Sequence, residues 1–479
     1  MSEPLDGFAE KVESMLRREG LVVTMGGEPT FIPSEPEGAE WNNEAMGPQK
    51  LGYARRLAAR LLRQRYPGGL VMQVFGKQYP GEPLPRWVVS TLHRNDGVPM
   101  WRHPEALLLD DRPGSNSGVD ARKLVAAVAA ELDLKQYVLP SIEKGGSVDS
   151  PRGWVLPLDR DHDEWISDVW PFSRDEPIVL APGHSPLGLR LPLAELHPQN
   201  LRRALTVEVT DGALHLFVPP LDFEGFSALV RVIERAVVTR KVSELVLCGY
   251  RPASSDTVTS LGFAADPGVL EVNLPAARTW QEYDEALRSV TDAAASEGLV
   301  TTRFHLNGQL QGTGGGAHVL FGGPDVDENP FFERPQLLGS MLRYWQRHPA
   351  LSYFFSGQYV GPGSQAPRAD ETLLAKLYEL ETACLGADAA AGSTDRAILD
   401  RLFRNLLTDS AGNMHLAEIS IDKLWNFDSP TGLQGLIELR AFETMPDIAD
   451  QSLSALFVRA IVAMLARCPA TDGLVRHGA

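Results

Sequence analysis

The side chains of this sequence best suited to chemistry are carboxylates on β-branched runs beside glycines. An ionised group inside a sheet is costly unless a metal or another cation compensates it. In "VVTMGGEPTF", Glu28 follows a strand-like run and two glycines and precedes Pro29, which reads as a rigid strand exit. In "DPGVLEVNL", Glu271 and Asn273 are two apart and share one face of a strand, with Leu270, Val272 and Leu274 on the other. Such a pair of oxygen donors suits Mg²⁺, and a solvated edge strand fits the same pattern. In "GLIELRAFE", Glu438 and Arg440 share a face, either as metal ligand and phosphate-binding group or as a simple ion pair. A fourth stretch, "NMHLAEISIDKLW", gathers His415, Glu418, Asp422 and Lys423, with Glu418 a further ligand or base.

The stretch "GQLQGTGGGAHVLFGG" is rich in glycine but lacks the Lys-Ser/Thr of a phosphate-binding P-loop and the following helix of a dinucleotide site. "AHVLFGG" reads as a strand, so Gly314, Gly315 and Gly316 give clearance beside His318, a core histidine or a ligand. Two Gly/Pro-rich loops present isolated cations. "FFSGQYVGPGSQAPRADE" offers Arg368 as a clamp for a transferred phosphoryl group, and "FGKQYPGEPLPRW" offers Lys77 beside Glu82 and Arg86. A charged surface loop explains either equally well. The G-x-S-x-G and H-E-x-x-H signatures are missing, which argues against serine hydrolase and zincin chemistry.

The elements that must position these residues follow from periodicity. Helical spacing predicts helices near 5–19, 49–65, 119–132, 222–240, 280–297, 335–347, 370–384, 396–407 and 449–467. Short strands lie between them, including "LVVTM", "LVMQVF", "RWVVSTLH", "ELVLCGY", "GVLEVNL", "AHVLFG", "LSYFFSG" and "GLIELRAF". The class is α+β. "ALTVEVTDGALHLFV" is a hairpin closed by Asp-Gly. The looser, Pro- and Gly-rich composition before it suggests an N-terminal lobe over 1–200 that contributes Glu28 and a main catalytic lobe over 201–479.

Forty-five Lys+Arg against 62 Asp+Glu give a net charge of −17, which disfavours nucleic acid as a partner. Cys248, Cys384 and Cys468 are far apart and form no metal or redox motif. The apolar run "LSALFVRAIVAMLA" is broken by Arg459 and reads as an amphipathic core helix, not a membrane span. The acidic N-terminus lacks the features of a signal peptide, so a cytoplasmic location is expected.

Taken together, "TMGGEPTF", "GKQYPGEPLPRW", "DPGVLEVN", "NGQLQGTGGGAHVLFGG", "PFFERPQLLGSMLRYWQRHPALSYFFSGQYVGPGSQAPR" and "GLIELRAFE" resemble a bacterial amidoligase family. Its members usually follow a transglutaminase-like domain, a half not expected within these residues. The family is thought to be distantly related to glutamine synthetase and glutamate-cysteine ligase. The resemblance implies a curved antiparallel sheet with flanking helices around ATP and two or three Mg²⁺ ions. It further implies an acyl phosphate, made from an amino-acid or peptide carboxylate, that an amine then attacks. By this correspondence Glu28, Glu271, His318 and Glu438 are metal ligands with Asn273 near them, and Arg368 and Arg440 are phosphate and transition-state clamps. Gly314, Gly315, Gly316 and Lys77 would lie along the nucleotide, and Glu418 would be a catalytic ligand or base. Implied protein partners are transglutaminase-like, ATP-grasp-like or all-helical. This sequence departs from glutamine synthetase in having one early glutamate where that enzyme pairs two, and one histidine on the glycine-rich strand.

Two other functions use the same residues. A non-catalytic module that presents peptides to a partner enzyme would keep the fold without the ligand pairs. Metal-dependent amide hydrolysis would need the same ligands but not Arg368.

Overall fold

The structure is a computed structural model that describes all residues except 1, 77, 80, 83, 174, 253–254, 256, 306, 358, 372–376, 428–431 and 478–479. Lys77 therefore lies outside the described residues. The chain forms two compact units, Met1–Glu44 with Pro267–Ala479, and Ala45–Asp266. The boundary expected near residue 200 falls inside the second unit. The hairpin Ala204–Thr210/Ala213–Val218 is paired there on both sides, with Gly153–Pro157 and Leu245–Gly249. Its turn has Asp211 and Gly212 at φ +50° and +73°, as a tight reversal between twisted strands requires.

The fold is α+β, with mostly antiparallel strand pairing. In the second unit the strand order is Val258–Asp266, Trp87–Arg94, Leu70–Phe75, Leu245–Gly249, Ala213–Val218, Ala204–Thr210, Gly153–Pro157, Leu139–Ile142 and Ile178–Val179. Leu245–Gly249 runs parallel to both of its neighbours. The Glu82 and Arg86 of the Lys77 motif belong to this unit, where Arg86 is bound by Glu82 at 2.7 Å and by Asp266.

The first unit carries the strands that matter for chemistry. They lie in the order Ile419–Ser420, Ile437–Leu439, Ala317–Gly322, Thr24–Pro33 and Val269–Asn273, each antiparallel to the next. Helices Ser2–Arg18, Trp280–Ser296 and Ile448–Arg467 pack together. Their starts are set locally: Thr279 accepts from Glu282 N, and Asp447 accepts from Ala449 N. Tyr283 of the middle helix lies so close to Gly27 that a β-carbon there would sit 2.9 Å from its hydroxyl. The helix thus covers the sheet face opposite Glu28, because neighbouring residues of a strand point to opposite sides.

Two sequence expectations are corrected. Glu28 is not at a strand exit. Thr24–Pro33 continues straight through Gly-Gly-Glu-Pro, because it is paired along its length with Ala317–Gly322 and then with Val269–Asn273. "LSYFFSG" is not a strand, since Ala350–Tyr353 is a short helix started by Pro349. The helix Ile448–Arg467 is long and apolar enough to cross a membrane by composition. It is buried on nearly every side within the first unit, with Leu453 and Phe457 left partly exposed.

Candidate functional site

Strand register brings the predicted residues together. Glu28 pairs directly with His318, and one step beyond the Val319–Leu439 pair His318 is level with Arg440. Arg440 N in turn donates to Glu418 O, at 2.8 Å. Glu418, Arg440, His318 and Glu28 therefore form one row across four neighbouring segments and point to one face. Glu438 lies in the next row, level with Leu320 and Ser420.

From these rows Glu28, His318 and Glu438 converge, with potential ligand atoms all within 4.8 Å of one another. Each is almost fully buried. His318 Nδ1 lies 2.9 Å from Glu438 Oε1 and 3.5 Å from Glu28 Oε2. These approaches are off line, and His318 Nδ1 makes no well-directed hydrogen bond among the described residues. Two buried carboxylates and an imidazole with an unsatisfied ring nitrogen are a donor set that fits a divalent cation.

Lys423, which the sequence groups with His415, Glu418 and Asp422 without a role of its own, completes this group. Its Nζ lies 2.5 Å from Glu28 Oε1 and 2.9 Å from Glu438 Oε2. Arg440 Nη1 donates to Glu438 Oε1 at 2.5 Å. Burial alone would push both carboxyls up, but the ammonium of Lys423 holds Glu28 below the usual range. Lys423, then Arg440 and His318, hold Glu438 well below it. Burial and Arg440 work against the imidazolium of His318, but its two carboxylate partners win and raise its pKa. Lys423 is likewise raised, by Glu28, Glu438 and Glu271 against burial. With all of these ionised, Lys423, His318 and Arg440 balance Glu28, Glu438 and Glu271.

Glu271 and Asn273 share a face as expected, and Asn273 Nδ2 donates to Glu271 Oε1 at 2.9 Å. They border the tight cluster on the strand next to Glu28.

The glycines serve His318. Gly314 and Gly316 have φ of +88° and +85°, and a β-carbon on Gly316 would stand 2.6 Å from His318 Nε2. On Gly315 it would meet Val269 and Thr30, and on Gly314 the Arg303 guanidinium. The turn is tied down by threonines: Thr30 Oγ1 donates to Gly316 O at 2.7 Å, and Gly315 N donates to Thr313 Oγ1. Gly316→Ala is expected to cost about 1–3 kcal/mol through its positive φ and to displace the imidazole. Urea unfolding and divalent-ion titration of the variant check both.

Arg368 is placed differently from the expected clamp. Its donors go to Asp370 (2.9 and 3.0 Å), Gln346 O (2.9 Å), Ser352 Oγ (2.8 Å) and, at 3.5 Å, Trp345 O. A guanidinium has five N–H groups, so this one is committed to Asp370 and to the helices Gln336–Arg347 and Ala350–Tyr353. What it supports is Ser352, whose hydroxyl bonds Glu418. Burial raises Glu418 to about 7, against the opposing effects of Arg368 and Ser352.

A carboxyl raised this way stabilises the fold when protonated. Its contribution is fully present below the usual 4.5 and lost as pH rises through 7. The difference corresponds to about 3 kcal/mol. Glu418→Gln is therefore expected to flatten the loss of stability between pH 5 and pH 8, measured by urea unfolding at both. An unchanged slope would show that Glu418 is not the group responsible.

No curated protein and no solved structure matches the chain. A family model described as "Putative amidoligase enzyme (DUF2126)" matches residues 3–145, 142–201 and 195–479. That match takes in both units and every residue of the cluster, so the chain belongs to this amidoligase family.

Proposed function

We propose that the chain is an ATP-dependent carboxylate–amine ligase acting on an amino-acid or peptide substrate through an acyl phosphate. The observation that carries this reading is the buried Glu28–His318–Glu438 cluster with Arg440 and Lys423 against it. Carboxylate donors beside cations suit a reaction in which negative charge builds up on a transferred phosphoryl group.

Glu28, His318 and Glu438 would hold one Mg²⁺ ion. Further ions would draw on Glu271, Asn273 and the phosphates of ATP. Bound there, the metal would neutralise phosphate charge and polarise the phosphoryl group. A carboxylate oxygen of the substrate attacks the terminal phosphorus, and the bond to the ADP oxygen breaks. The amine then attacks the acyl carbon, the C–O bond to phosphate breaks, and the amine gives up a proton. Glu418, in the same row as Arg440 and with a pKa of about 7, is the group we assign to take it. Arg440 offsets charge on the transferred group, and Arg368 positions Ser352 and Glu418.

The test is ADP release by the purified chain with Mg²⁺, ATP and pooled amino acids or peptides. ADP should appear only when a carboxylate and an amine are both present. Release with water alone as acceptor would favour hydrolysis. One observation favours the second reading, a peptide-binding module for a transglutaminase-like or ATP-grasp-like partner: Lys423 already neutralises the carboxylates. That reading expects no heat on titration with Mg²⁺ and an ATP analogue.

A further inference from the structure

We infer that Lys423 is a built-in counter-cation of the Glu28–Glu438 pair, which a divalent cation must displace to load the site. The inference rests on the metal reading above and adds a regulatory step to it.

The geometry makes the two occupants exclusive at the same oxygens. Lys423 Nζ lies within 2.9 Å of one oxygen of each carboxylate, and those carboxylates supply two of the three clustered ligands. An ammonium at that distance from both leaves no room for a second cation on the same lone pairs, and its charge repels one. The balance of charge points the same way. With Lys423 in place the nearby charged groups sum to neutrality. Moving Lys423 away leaves the carboxylates in excess and makes the donor set anionic.

The lysine is anchored by its backbone, apart from the ammonium that pairs with the carboxylates. Its carbonyl accepts from Gln434 N at 3.1 Å and Leu436 N at 3.2 Å, which anchors the backbone of the turn after Ile419–Ser420. The side chain beyond that anchor has four rotatable bonds and its ammonium is held only by the two carboxylates among the described residues. Metal-free protein thus keeps its buried carboxylates paired. Metal loading sets free one ammonium beside the place where the anionic co-substrate binds, so that loading and substrate binding favour each other.

The experiment is Mn²⁺ titration of the full chain without nucleotide, followed by electron paramagnetic resonance, in the wild type, Lys423→Met and Lys423→Arg. Lys423→Met should bind Mn²⁺ about tenfold or more tightly than the wild type, since no internal cation competes. Mn²⁺ should also raise its melting temperature by more than it raises that of the wild type. Lys423→Arg, which keeps a charge, should bind no more tightly than the wild type. A second measurement uses the wild type alone and so survives a failure of Lys423→Met to fold: acetylation of Lys423 by acetic anhydride, read by mass spectrometry, should rise several-fold on Mn²⁺ saturation. Equal or weaker binding by Lys423→Met, or labelling of Lys423 that Mn²⁺ leaves unchanged, overturns the exchange while the metal reading stands. Absence of Mn²⁺ binding by every form overturns both.

Discussion

Glu438→Gln is expected to lower ligase turnover by about 10³-fold, the scale on which loss of a preorganised electrostatic partner acts. Glu438 is where the cations of the site meet: His318 Nδ1 and Lys423 Nζ are each 2.9 Å from one of its oxygens, and Arg440 Nη1 is 2.5 Å away. Glutamine matches its shape but leaves Glu28 facing His318, Lys423 and Arg440 alone. A buried pair broken on one side costs about 3–5 kcal/mol, so folding must be measured together with activity. Near-ultraviolet circular dichroism and urea unfolding settle whether the variant is native. Mn²⁺ binding and ADP release are then compared with Glu10→Gln, which alters an exposed ion pair with Arg17. Full activity in a folded Glu438→Gln protein would exclude the site.

Arg459→Met is expected to have the largest effect on stability, about 3–5 kcal/mol. Arg459 is 1% exposed and grips Glu13 at 2.8 and 2.6 Å, while also donating to Val23 O and Arg278 O. Glu13 further accepts from Trp280 N. The pair therefore joins three helices to the start of the strand that carries Glu28. The single variant strands a carboxylate in the core, whereas Glu13→Leu with Arg459→Met removes both charges and should recover much of the loss. Thermal melts of the two singles and the double give the coupling directly.

Much of this was legible from residue order. Helix spacing placed six of the nine expected helices within a residue of where they lie, for instance 222–240 against Phe223–Arg240, while the one expected at 370–384 is described at Leu377–Ala389. Asp-Gly marked its hairpin, and Glu28, His318 and Glu438 were each recognisable as polar groups out of place on apolar strands. Register was not legible. That Glu28 faces His318 depends on pairing between residues 290 apart in the chain, 318 less 28, and no local signal encodes it. Lys423 stands in sequence beside His415, Glu418 and Asp422, but its role was not legible, because only long-range contacts put its ammonium between Glu28 and Glu438. Arg368 misled for the opposite reason. Its loop presents one arginine, as a clamp would, but Asp370 two residues on and the carbonyl of Gln346 consume it. The run Leu351–Phe355 was taken for a strand on its aromatics, although Pro349 favours the first turn of a helix.

The discontinuity of the first unit has a consequence for the order of events during synthesis. Residues 45–266 form a compact unit of their own, so they can fold while the remaining chain is still being made. The strand bearing Glu28 leaves the ribosome early and must wait, with both edges open, until its partners at 269–273 and 317–322 follow, and 437–439 then pairs with 317–322. The cation cluster cannot exist until the last of these emerges. A ribosome stalled before residue 438 would therefore hold a folded second unit and a first unit without divalent-ion affinity, its strand Ala317–Gly322 left with an open edge that is free to pair wrongly.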